Sequence, residues 1–429
     1  MGLSKTQTNW LNDTFADRFT DRRVERKLYS HDIGEMPSMI KPLIGNPLAD
    51  AIVQPASEAE IVALVKWAAR EGVPLVPRGK ATSGYGGVLP VQGGVVVDFF
   101  RMDTVLDVDA ELQTATLQPG IVWEKADRAL KKQGMTLRTY PSSYPSATAG
   151  GWLAQGGAGF GGYEAGWFRD NVVSARVVLG DGTVGVFEGE GLDVIYEAEG
   201  TTGIITELTI KVQRDEELEV ISRGCPDAHE LQHLLERLME ADLPIWSMHF
   251  INPRMAEMKN RAPLMTHHGE PAEERVLLPA SYVLTLAFRT SDADAVRAGI
   301  EAGMKSKQCQ AELLSDEIAH HEWEHRFRIM TVKRLGPSLV PAEVVVPLSG
   351  LGDTMAEIER KVDQPVVKEG VFIREGKYGE PEVVILGFIP ADQRKFTYNF
   401  VFPLSLTIAN IAEKHGGRPY ATGLYYTKM

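Results

Sequence analysis

The sequence predicts an α+β fold divided into two domains, and the pattern of the first domain is the clearest sign of it. Apolar residues recur at helical spacing in residues 57–72, and strand-sized apolar runs follow at 73–76 and 94–100. Loops rich in glycine and small polar residues lie at 78–87 and 140–162. A helix, short strands and two glycine-rich loops in this order indicate one α+β region.

The helix at 57–72 has recognisable start and stop signals. Ser57 and Glu60 have the spacing of a capping box, which satisfies the free amide groups of a helix start. Gly72 follows the last apolar residue of the pattern and offers a left-handed helix end. We therefore expect a complete amphipathic helix between these residues.

Further elements complete the first domain. Residues 105–118 alternate like half-buried strands, and residues 123–133 are typical of a helix. Residues 172–179 and 183–187 predict a hairpin around a Gly-Asp-Gly turn, and 204–212 predicts another strand.

The composition becomes charged near residues 214–217, and helical spacing then resumes at 229–241 without another loop of the earlier type. This change marks the predicted domain boundary. The predicted parts are an N-terminal extension at 1–48, a first domain at 49–214, a second α+β domain at 215–392 and a C-terminal segment at 393–429.

Composition excludes several classes of function. The net charge of −13 disfavours binding to nucleic acid or to anionic lipid. Cys225 and Cys309 are the only two cysteines, so the chain cannot build its own iron–sulfur cluster. Any electron chemistry therefore needs an organic cofactor.

The N-terminus lacks the pattern of a secretory signal, and no apolar run reaches membrane-spanning length. We therefore expect a cytoplasmic protein, with any membrane association made through a partner.

Three loops carry the argument for a cofactor. They lie at residues 77–84, 146–151 and 199–206 and are rich in glycine and hydroxyl side chains, with two cations in the first. Such a loop after a strand can surround a diphosphate with backbone amides and positive charge. The first loop alone is neither a Walker A loop nor a dinucleotide fingerprint, so its pattern is weak by itself.

Taken together, these loops resemble the FAD-binding domain of the vanillyl-alcohol oxidase and p-cresol methylhydroxylase (PCMH) family, over about residues 50–213. Within that family the sequence is most similar to FAD-linked dehydrogenase subunits of the glycolate oxidase and D-lactate dehydrogenase type. The resemblance implies a PCMH-type domain of two subdomains, followed by an α+β substrate or cap domain. It also implies cofactor-binding positions at Pro77, Arg78, Gly79, Lys80, Ala81, Thr82, Ser83, Pro141, Ser143, Ala147, Thr148, Gly150, Gly151, Glu199, Gly200, Gly203, Ile204 and Ile205.

The first loop departs from the family at one point. Lys80 and Ala81 stand where relatives have two glycines, so either the lysine adds charge at the diphosphate or the loop follows another path. Relatives that attach FAD covalently often carry a histidine in this loop, and this sequence has none there. We therefore expect FAD to be bound non-covalently.

His321 and His325 form a His-Glu-x-x-His pattern in the second domain, as zinc peptidases use on a helix. Glu343 is the one nearby residue that could be a third ligand. A metal site of another kind, or a solvated and charged helix face, would also explain the pattern, and we predict no metal site.

The same region resembles a Trp-and-Arg stretch of the hydroxy-acid dehydrogenases. In this interpretation Arg326 or Arg328 binds a substrate carboxylate as a bidentate fork, although a surface salt bridge is an equal alternative. Arg254 and Arg289 stay open as other anchors.

The C-terminal segment at 393–429, which we expect to return to the flavin site, differs from these relatives at the position of their catalytic base. His415 begins a His-Gly-Gly run, but the family's following Glu-His pair is missing. Either Tyr420, His249 or Lys428 is the base, or the substrate is not a simple 2-hydroxy acid. Tyr420 could serve if Arg418 lowered its pKa.

The function expected from these observations is an FAD-dependent dehydrogenase that oxidises a small organic substrate, most simply a 2-hydroxy acid. Reduced flavin would pass electrons to an iron–sulfur or electron-transfer flavoprotein partner, for which the acidic surface could provide docking. Two alternatives stay open: an FAD-bearing relay subunit of a larger complex, and an oxidase that uses oxygen directly.

Overall fold

The computed structural model describes residues 2–34, 39, 47–264, 275–304, 310–336, 338–362 and 367–424. The α-helices, numbered in chain order, are α1 (Lys5–Phe15), α2 (Arg23–Leu28), α3 (Glu58–Glu71), α4 (Trp123–Lys131), α5 (Ala149–Gln155), α6 (Gly162–Ala165), α7 (Ala228–Glu240), α8 (Pro253–Arg261), α9 (Ala293–Met304), α10 (Asp316–Glu324), α11 (Leu351–Lys361) and α12 (Val401–Lys414). Short 3₁₀ segments lie at Ala16–Arg18, Phe99–Arg101, Phe168–Asn171, Gly189–Val194, Thr290–Asp292, Ile329–Leu335, Leu348–Gly350 and Phe396–Phe400.

The strands are numbered in the same way. They are β1 (Phe19–Thr20), β2 (Ala51–Val53), β3 (Leu75–Arg78), β4 (Val95–Asp98), β5 (Val105–Asp109), β6 (Thr114–Leu117), β7 (Met135–Leu137), β8 (Val172–Val178), β9 (Val184–Glu188), β10 (Ile204–Arg214), β11 (Leu218–Cys225), β12 (Ser247–Ile251), β13 (Tyr282–Arg289), β14 (Glu312–Leu313), β15 (Ser338–Pro341), β16 (Val344–Pro347), β17 (Val367–Ile373), β18 (Glu382–Ala391) and β19 (Arg418–Pro419).

The chain folds into two compact units. Unit 1 contains residues 1–157, 168–215 and 421–429, and unit 2 contains residues 158–167 and 216–420. The division near residue 215 is close to the charged segment at 214–217. The described residues 421–424 belong to unit 1, and the short insert 158–167 has no signal in the sequence pattern.

Unit 1 contains two sheets. In the first, of order β1-β2-β4-β3, the strands β2, β4 and β3 are parallel, and β1 pairs antiparallel with β2. Helix α3 covers this sheet with Ile61 and Leu64, which are fully buried, and it begins and ends at the predicted caps Ser57 and Gly72. The second sheet has the order β5-β6-β10-β8-β9, with β7 also pairing with β10. These two sheets correspond to the two subdomains that the resemblance implies.

The N-terminal residues, predicted as an extension, are part of the core of unit 1. Leu11 and Phe15 of α1 are fully buried in the cluster that contains α3 and β4. The Trp10 ring stacks on the Trp67 ring at a centroid distance of 4.7 Å. Arg18 forms a bidentate pair with the Glu60 carboxylate. The Arg18–Glu60 and Trp10–Trp67 contacts join residues 42 and 57 positions apart, which explains why local sequence patterns do not reveal them.

Unit 2 is built on one antiparallel sheet of nine described strands. Its order is β14-β11-β13-β12-β17-β18-β16-β19, and β15 also pairs with β18. The strands β12 and β17 are neighbours, with His249 opposite Val371 and Ile251 opposite Glu369. Helices α7 and α11 pack on each other beside this sheet. Because strand residues alternate between faces, this register fixes which polar side chains meet.

Replacement of Phe15 tests the role of the N-terminal helix. Phe15→Ala should lower the free energy of unfolding by about 3–5 kcal/mol because it opens a cavity in the core. Asn12→Ala, an exposed position on the same helix, should change it by less than about 0.5 kcal/mol. Urea unfolding followed by circular dichroism measures both variants. Equal effects would show that α1 does not contribute to the core.

Candidate functional site

A cleft in unit 1 is formed by the three glycine-rich loops. Its empty volume is about 1010 Å³ when its open side is included. The predicted cofactor positions that line it are Pro77, Arg78, Gly79, Lys80, Ala81, Thr82, Ser83, Ser143, Ala147, Thr148, Gly150, Gly151, Glu199, Gly200, Gly203 and Ile205. Pro141 and Ile204, also predicted, are buried behind the lining instead.

Two glycines allow the loops to approach closely. A Cβ atom on Gly79 would lie 2.3 Å from the Thr148 hydroxyl oxygen, and a Cβ on Gly150 would lie 2.6 Å from the Pro119 Cβ. Neither position has room for a side chain without movement of its neighbour. Gly79 therefore brings the backbone of the first loop against the Thr148 hydroxyl of the second loop, and Gly150 lets the second loop pack on Pro119.

Side-chain contacts fix the other walls of the cleft. The Gln155 amide donates to the Ser83 hydroxyl at 3.0 Å and so links the first loop to α5. The Glu199 carboxylate accepts from the backbone N–H of Gly423 at 2.7 Å and from the Thr422 hydroxyl at 3.1 Å. The third loop is thus held by the C-terminal segment.

The N-terminal residues support the first loop from behind. Asp32, which the sequence analysis missed, lines the cleft and accepts from the backbone N–H of Gly86 at 2.7 Å. Arg78 donates to the Tyr29 carbonyl at 3.3 Å, and the Tyr29 hydroxyl donates to Asp98 at 2.8 Å. Burial lowers the pKa of the Arg78 guanidinium below its ordinary value.

Lys80 and Ala81 replace the two glycines expected in the first loop, and the structure shows how each is placed. Ala81 has φ +52°, the left-handed region where relatives have glycine, so the loop keeps a backbone shape that suits glycine. The Lys80 ammonium lies 4.8 Å from the centre of the Phe100 ring while its side chain lines the cleft. The lysine therefore adds a cation to the lining of the cleft.

The chemistry of the cleft fits a long cofactor with a diphosphate. Arg78 and Lys80 provide positive charge beside a run of backbone amides in the first loop, which is the donor set that a diphosphate needs. The acids Asp32 and Glu199 are already occupied by backbone N–H donors. Ala147, Gly150 and Gly151 leave a small, flat wall suited to a ring system.

Unit 2 contains a second cluster, centred on Arg326. Its guanidinium lies 3.8 Å from the centre of the Trp323 ring, 4.4 Å from Phe327 and 5.9 Å from Phe160. The Phe160 ring packs edge-on against His249 at 4.9 Å. Aromatic faces orient a guanidinium, and the Arg326 Nη1 atom also donates to the Trp323 backbone carbonyl at 2.5 Å. Arg328, the other predicted anchor, is exposed.

His249 is buried within this cluster. Its side chain is 3% exposed, and its Nδ1 atom has no hydrogen-bond partner among the described residues. Burial lowers the pKa of the imidazole to about 3, so the ring is neutral at physiological pH. A neutral ring with an unpartnered nitrogen suits hydrogen bonding more than proton storage.

The His-Glu-x-x-His segment has another use. Both oxygens of Glu322 accept from the Lys259 ammonium at 2.7 Å, and His321 Nδ1 lies 3.0 Å from the same carboxylate. Burial raises the pKa of Glu322, but Lys259 and His321 outweigh it and the pKa falls to about 2. Glu322 is 3% exposed, so the expectation of a solvated helix face is wrong at this residue. Across the described ranges, no three His, Cys, Asp or Glu side chains are placed to share a metal ion.

Tyr420 lies elsewhere in unit 2. Its hydroxyl oxygen accepts from the backbone N–H of Ala158 at 3.3 Å, and its ring lies 6.4 Å from the Trp167 ring. Arg418 donates to the buried Glu382 carboxylate at 2.5 Å. Arg418 is therefore paired with an acid and is not the free cation that the tyrosine hypothesis requires.

The remaining predicted groups are also placed. Arg254 is exposed beside Glu257, and Arg289 forms a bidentate pair with Glu164. His415 lies 2.8 Å from the Glu357 carboxylate. Lys428 lies outside the described residues.

Comparisons with known proteins agree with the chemistry of the cleft. The profile of a family described as "FAD binding domain" matches residues 49–187. The glycolate oxidase subunit GlcD of Bacillus subtilis is 32% identical over 205 residues, which are 46% of this chain and 42% of that protein. The alkyldihydroxyacetonephosphate synthase of Dictyostelium discoideum is 34% identical over 209 residues, 46% of this chain and 34% of that one. The matches thus cover less than half the length of these relatives.

A solved structure extends the likeness of fold to both units. Substrate-bound p-cresol methylhydroxylase superposes with a TM-score of 0.75 at 14% identity, covering 98% of this chain and 90% of that chain. Within the described residues, no helix has both the length and the apolar character needed to cross a membrane. The chain therefore carries an FAD-binding domain of the p-cresol methylhydroxylase type, and FAD is its cofactor.

Proposed function

We propose that this protein is an FAD-dependent dehydrogenase that oxidises the CH–OH group of a small 2-hydroxy acid. The observation that carries the proposal is the Arg326 cluster, where one cation is oriented by Trp323, Phe327 and Phe160. A planar guanidinium held in this way matches the two oxygens of a carboxylate. The similarity to a glycolate oxidase subunit supports the same reaction class.

Each group has a distinct part in this proposal. FAD, when bound, would accept a hydride, which carries both electrons of the oxidation. Arg326 would bind the substrate carboxylate and so fix the orientation of the neighbouring carbon. His249 would hydrogen-bond to the substrate hydroxyl through its unpartnered Nδ1. Arg78–Ser83 would hold the diphosphate, and positions 143–151 and 199–205 would line the rest of FAD.

The proposal includes an electron-accepting partner. The chain has two cysteines, too few to ligate an iron–sulfur cluster of the four-cysteine type. Electrons would therefore leave on a separate iron–sulfur protein or electron-transfer flavoprotein. The net charge of −13 would favour a partner with a basic docking surface.

The similarity to a synthase as well as to a glycolate oxidase subunit shows why the reaction needs its own test. Anaerobic mixing of the purified FAD-loaded protein with a panel of hydroxy acids should bleach the flavin absorption. Bleaching by a reduced partner protein but by no hydroxy acid would instead indicate an electron relay. Rapid oxygen consumption by the purified chain would indicate an oxidase.

Replacement of Arg326 tests the carboxylate anchor. Arg326→Met should raise KM for the hydroxy acid about 10- to 100-fold, since a charge-assisted hydrogen bond contributes about 1.5–3 kcal/mol. Arg328→Met is the matched control because that side chain is two positions away and exposed, and its KM should change less than about twofold. An Arg326→Met enzyme with unchanged KM would place the anchor elsewhere.

Release of the cofactor tests the mode of its attachment. The described residues that line the cleft include neither histidine nor cysteine, which are common sites of covalent attachment to flavin. Precipitation with acid should therefore leave the yellow flavin in the supernatant. Flavin that stays with the pellet would contradict non-covalent binding, and Tyr85 would then be the first lining residue to examine by mass spectrometry.

A further inference from the structure

A strap of described C-terminal residues lies against the cofactor cleft of unit 1. The strap consists of residues 421–424, which belong to this unit together with the three glycine-rich loops. The Gly423 N–H donates to the Glu199 carboxylate at 2.7 Å, and the Thr422 hydroxyl donates to the same oxygen at 3.1 Å. Glu199 lines the cleft. The strap is therefore bound to a residue that would surround FAD.

The strap also holds the chain that follows the first loop. The Leu424 N–H donates to the Tyr85 carbonyl at 2.8 Å, and Tyr85 lines the cleft. The Leu424 side chain packs on Gly86, where a Cβ atom would lie 3.0 Å from Leu424 Cδ1. Gly423 has φ +48°, and a Cβ atom there would lie 2.2 Å from the Tyr85 carbonyl oxygen. A side chain at Gly423 would therefore push the strap out of its seat.

These contacts connect parts of the wall that are distant in the sequence. Glu199 begins the third loop, and its own N–H donates to the Ala154 carbonyl of α5 at 2.7 Å. Its carboxylate also reaches the chain after the first loop, since a Cβ atom on Gly87 would lie 3.1 Å from Glu199 Oε2. Ala154 and Gly87 line the cleft. Release of the strap would therefore remove one support from a wall that three segments build.

The strap supports this wall without being part of its lining. The described residues that line the cleft do not include Thr422, Gly423 or Leu424. Any effect of the strap on FAD would therefore pass through residues such as Glu199 and Tyr85. Because FAD and the strap would share these residues, their binding would be coupled, and such coupling is reciprocal. If the seated strap favours bound FAD by a given factor, FAD favours the seated strap by the same factor.

We propose that the strap is a clasp for the cofactor: the seated strap slows the dissociation of FAD, and bound FAD in turn holds the strap in its seat. The inference concerns retention of the cofactor and does not depend on the substrate or the reaction. With the strap seated, Glu199 and Tyr85 are fixed before FAD arrives, so less conformational freedom is lost on binding. With the strap released, FAD itself has to order these residues.

Gly423→Ala tests the clasp at a residue outside the cleft lining. Its Cβ should unseat the strap and raise the Kd for FAD about tenfold, chiefly through faster dissociation, because the charge-assisted hydrogen bond to Glu199 is lost. Titration calorimetry of the apoprotein with FAD measures Kd, and the recovery of flavin fluorescence after dilution measures dissociation.

Gly189→Ala is the matched control in the same unit. Gly189 has φ +52°, so alanine brings a similar backbone strain, but a Cβ atom there would meet no other residue within 4 Å. The Kd for FAD of this variant should differ from that of wild type by less than about twofold.

Amide hydrogen exchange tests the reciprocal half of the proposal in the wild type. The N–H groups of Gly423 and Leu424, which donate to Glu199 and Tyr85, should exchange more slowly in the FAD-loaded protein than in the apoprotein. The factor of slowing should be about the factor by which Gly423→Ala raises Kd. This measurement needs no variant, so it decides even where Gly423→Ala proves unstable.

The outcomes are distinct. A folded Gly423→Ala protein that binds FAD as tightly as wild type, although its strap amides exchange rapidly, would overturn the inference and leave the strap as a part of the fold alone. Equal exchange of the Gly423 and Leu424 amides with and without FAD would overturn it as well. Weaker FAD binding by Gly423→Ala but not by Gly189→Ala, together with slower exchange in the presence of FAD, would support the clasp.

Discussion

The close approach of the first two loops is the constraint on which the cofactor cleft depends. Gly79 lies so near the Thr148 hydroxyl, and Gly150 so near Pro119, that any side chain at either glycine would displace its neighbour. Because Gly79 has no side chain, the first loop can approach Thr148 of the second loop closely, and both loops line the cleft. The cleft is therefore a product of tight packing between segments about seventy residues apart, and local loop sequence determines only half of it.

The second unit obeys a different constraint, the burial of charge. Glu322, Glu357 and Glu382 are each nearly inaccessible, and each is matched by lysine or arginine, since an unpaired charge in a protein interior is costly. Glu369, which is 2% exposed and has no ion pair among the described residues, differs from these three acids, and burial raises its pKa to about 8. Burial acts in the opposite direction on His249, beside Phe160 and Trp323, because it lowers the pKa of the imidazole.

Sequence patterns predicted the elements of unit 1 well because their signals are local. Caps at Ser57 and Gly72 placed α3 correctly, and alternation placed β8, β9 and β10 to within two residues. The strand β3 begins two residues later than its apolar run suggests, since Pro74 lies at its start. The burial of Leu11 and Phe15 was not predicted because it depends on partners more than forty residues away.

Sequence patterns likewise predicted one part of the candidate site and missed another. Loop residues could be assigned by motif, whereas Asp32 carries no motif, and only the tertiary structure reveals that it lines the cleft. The His-Glu-x-x-His pattern is typical of a metal site, but its glutamate, Glu322, is bound by Lys259, sixty-three residues away in the sequence. Arg326 and Arg328 were indistinguishable in sequence because exposure, and not residue type, separates them.

The hydrogen bond between Glu199 and Gly423 has a consequence for biosynthesis. It joins residues 224 positions apart, and Leu424 adds a backbone bond to Tyr85, another lining residue of the cleft. Contacts of such long sequence separation form late in folding, and domains of a growing chain otherwise fold from the N-terminus onward. One wall of the cleft is incomplete until residue 424 has left the ribosome. Loading with FAD is therefore expected to follow translation, and a nascent chain would hold the cofactor more weakly than the finished protein.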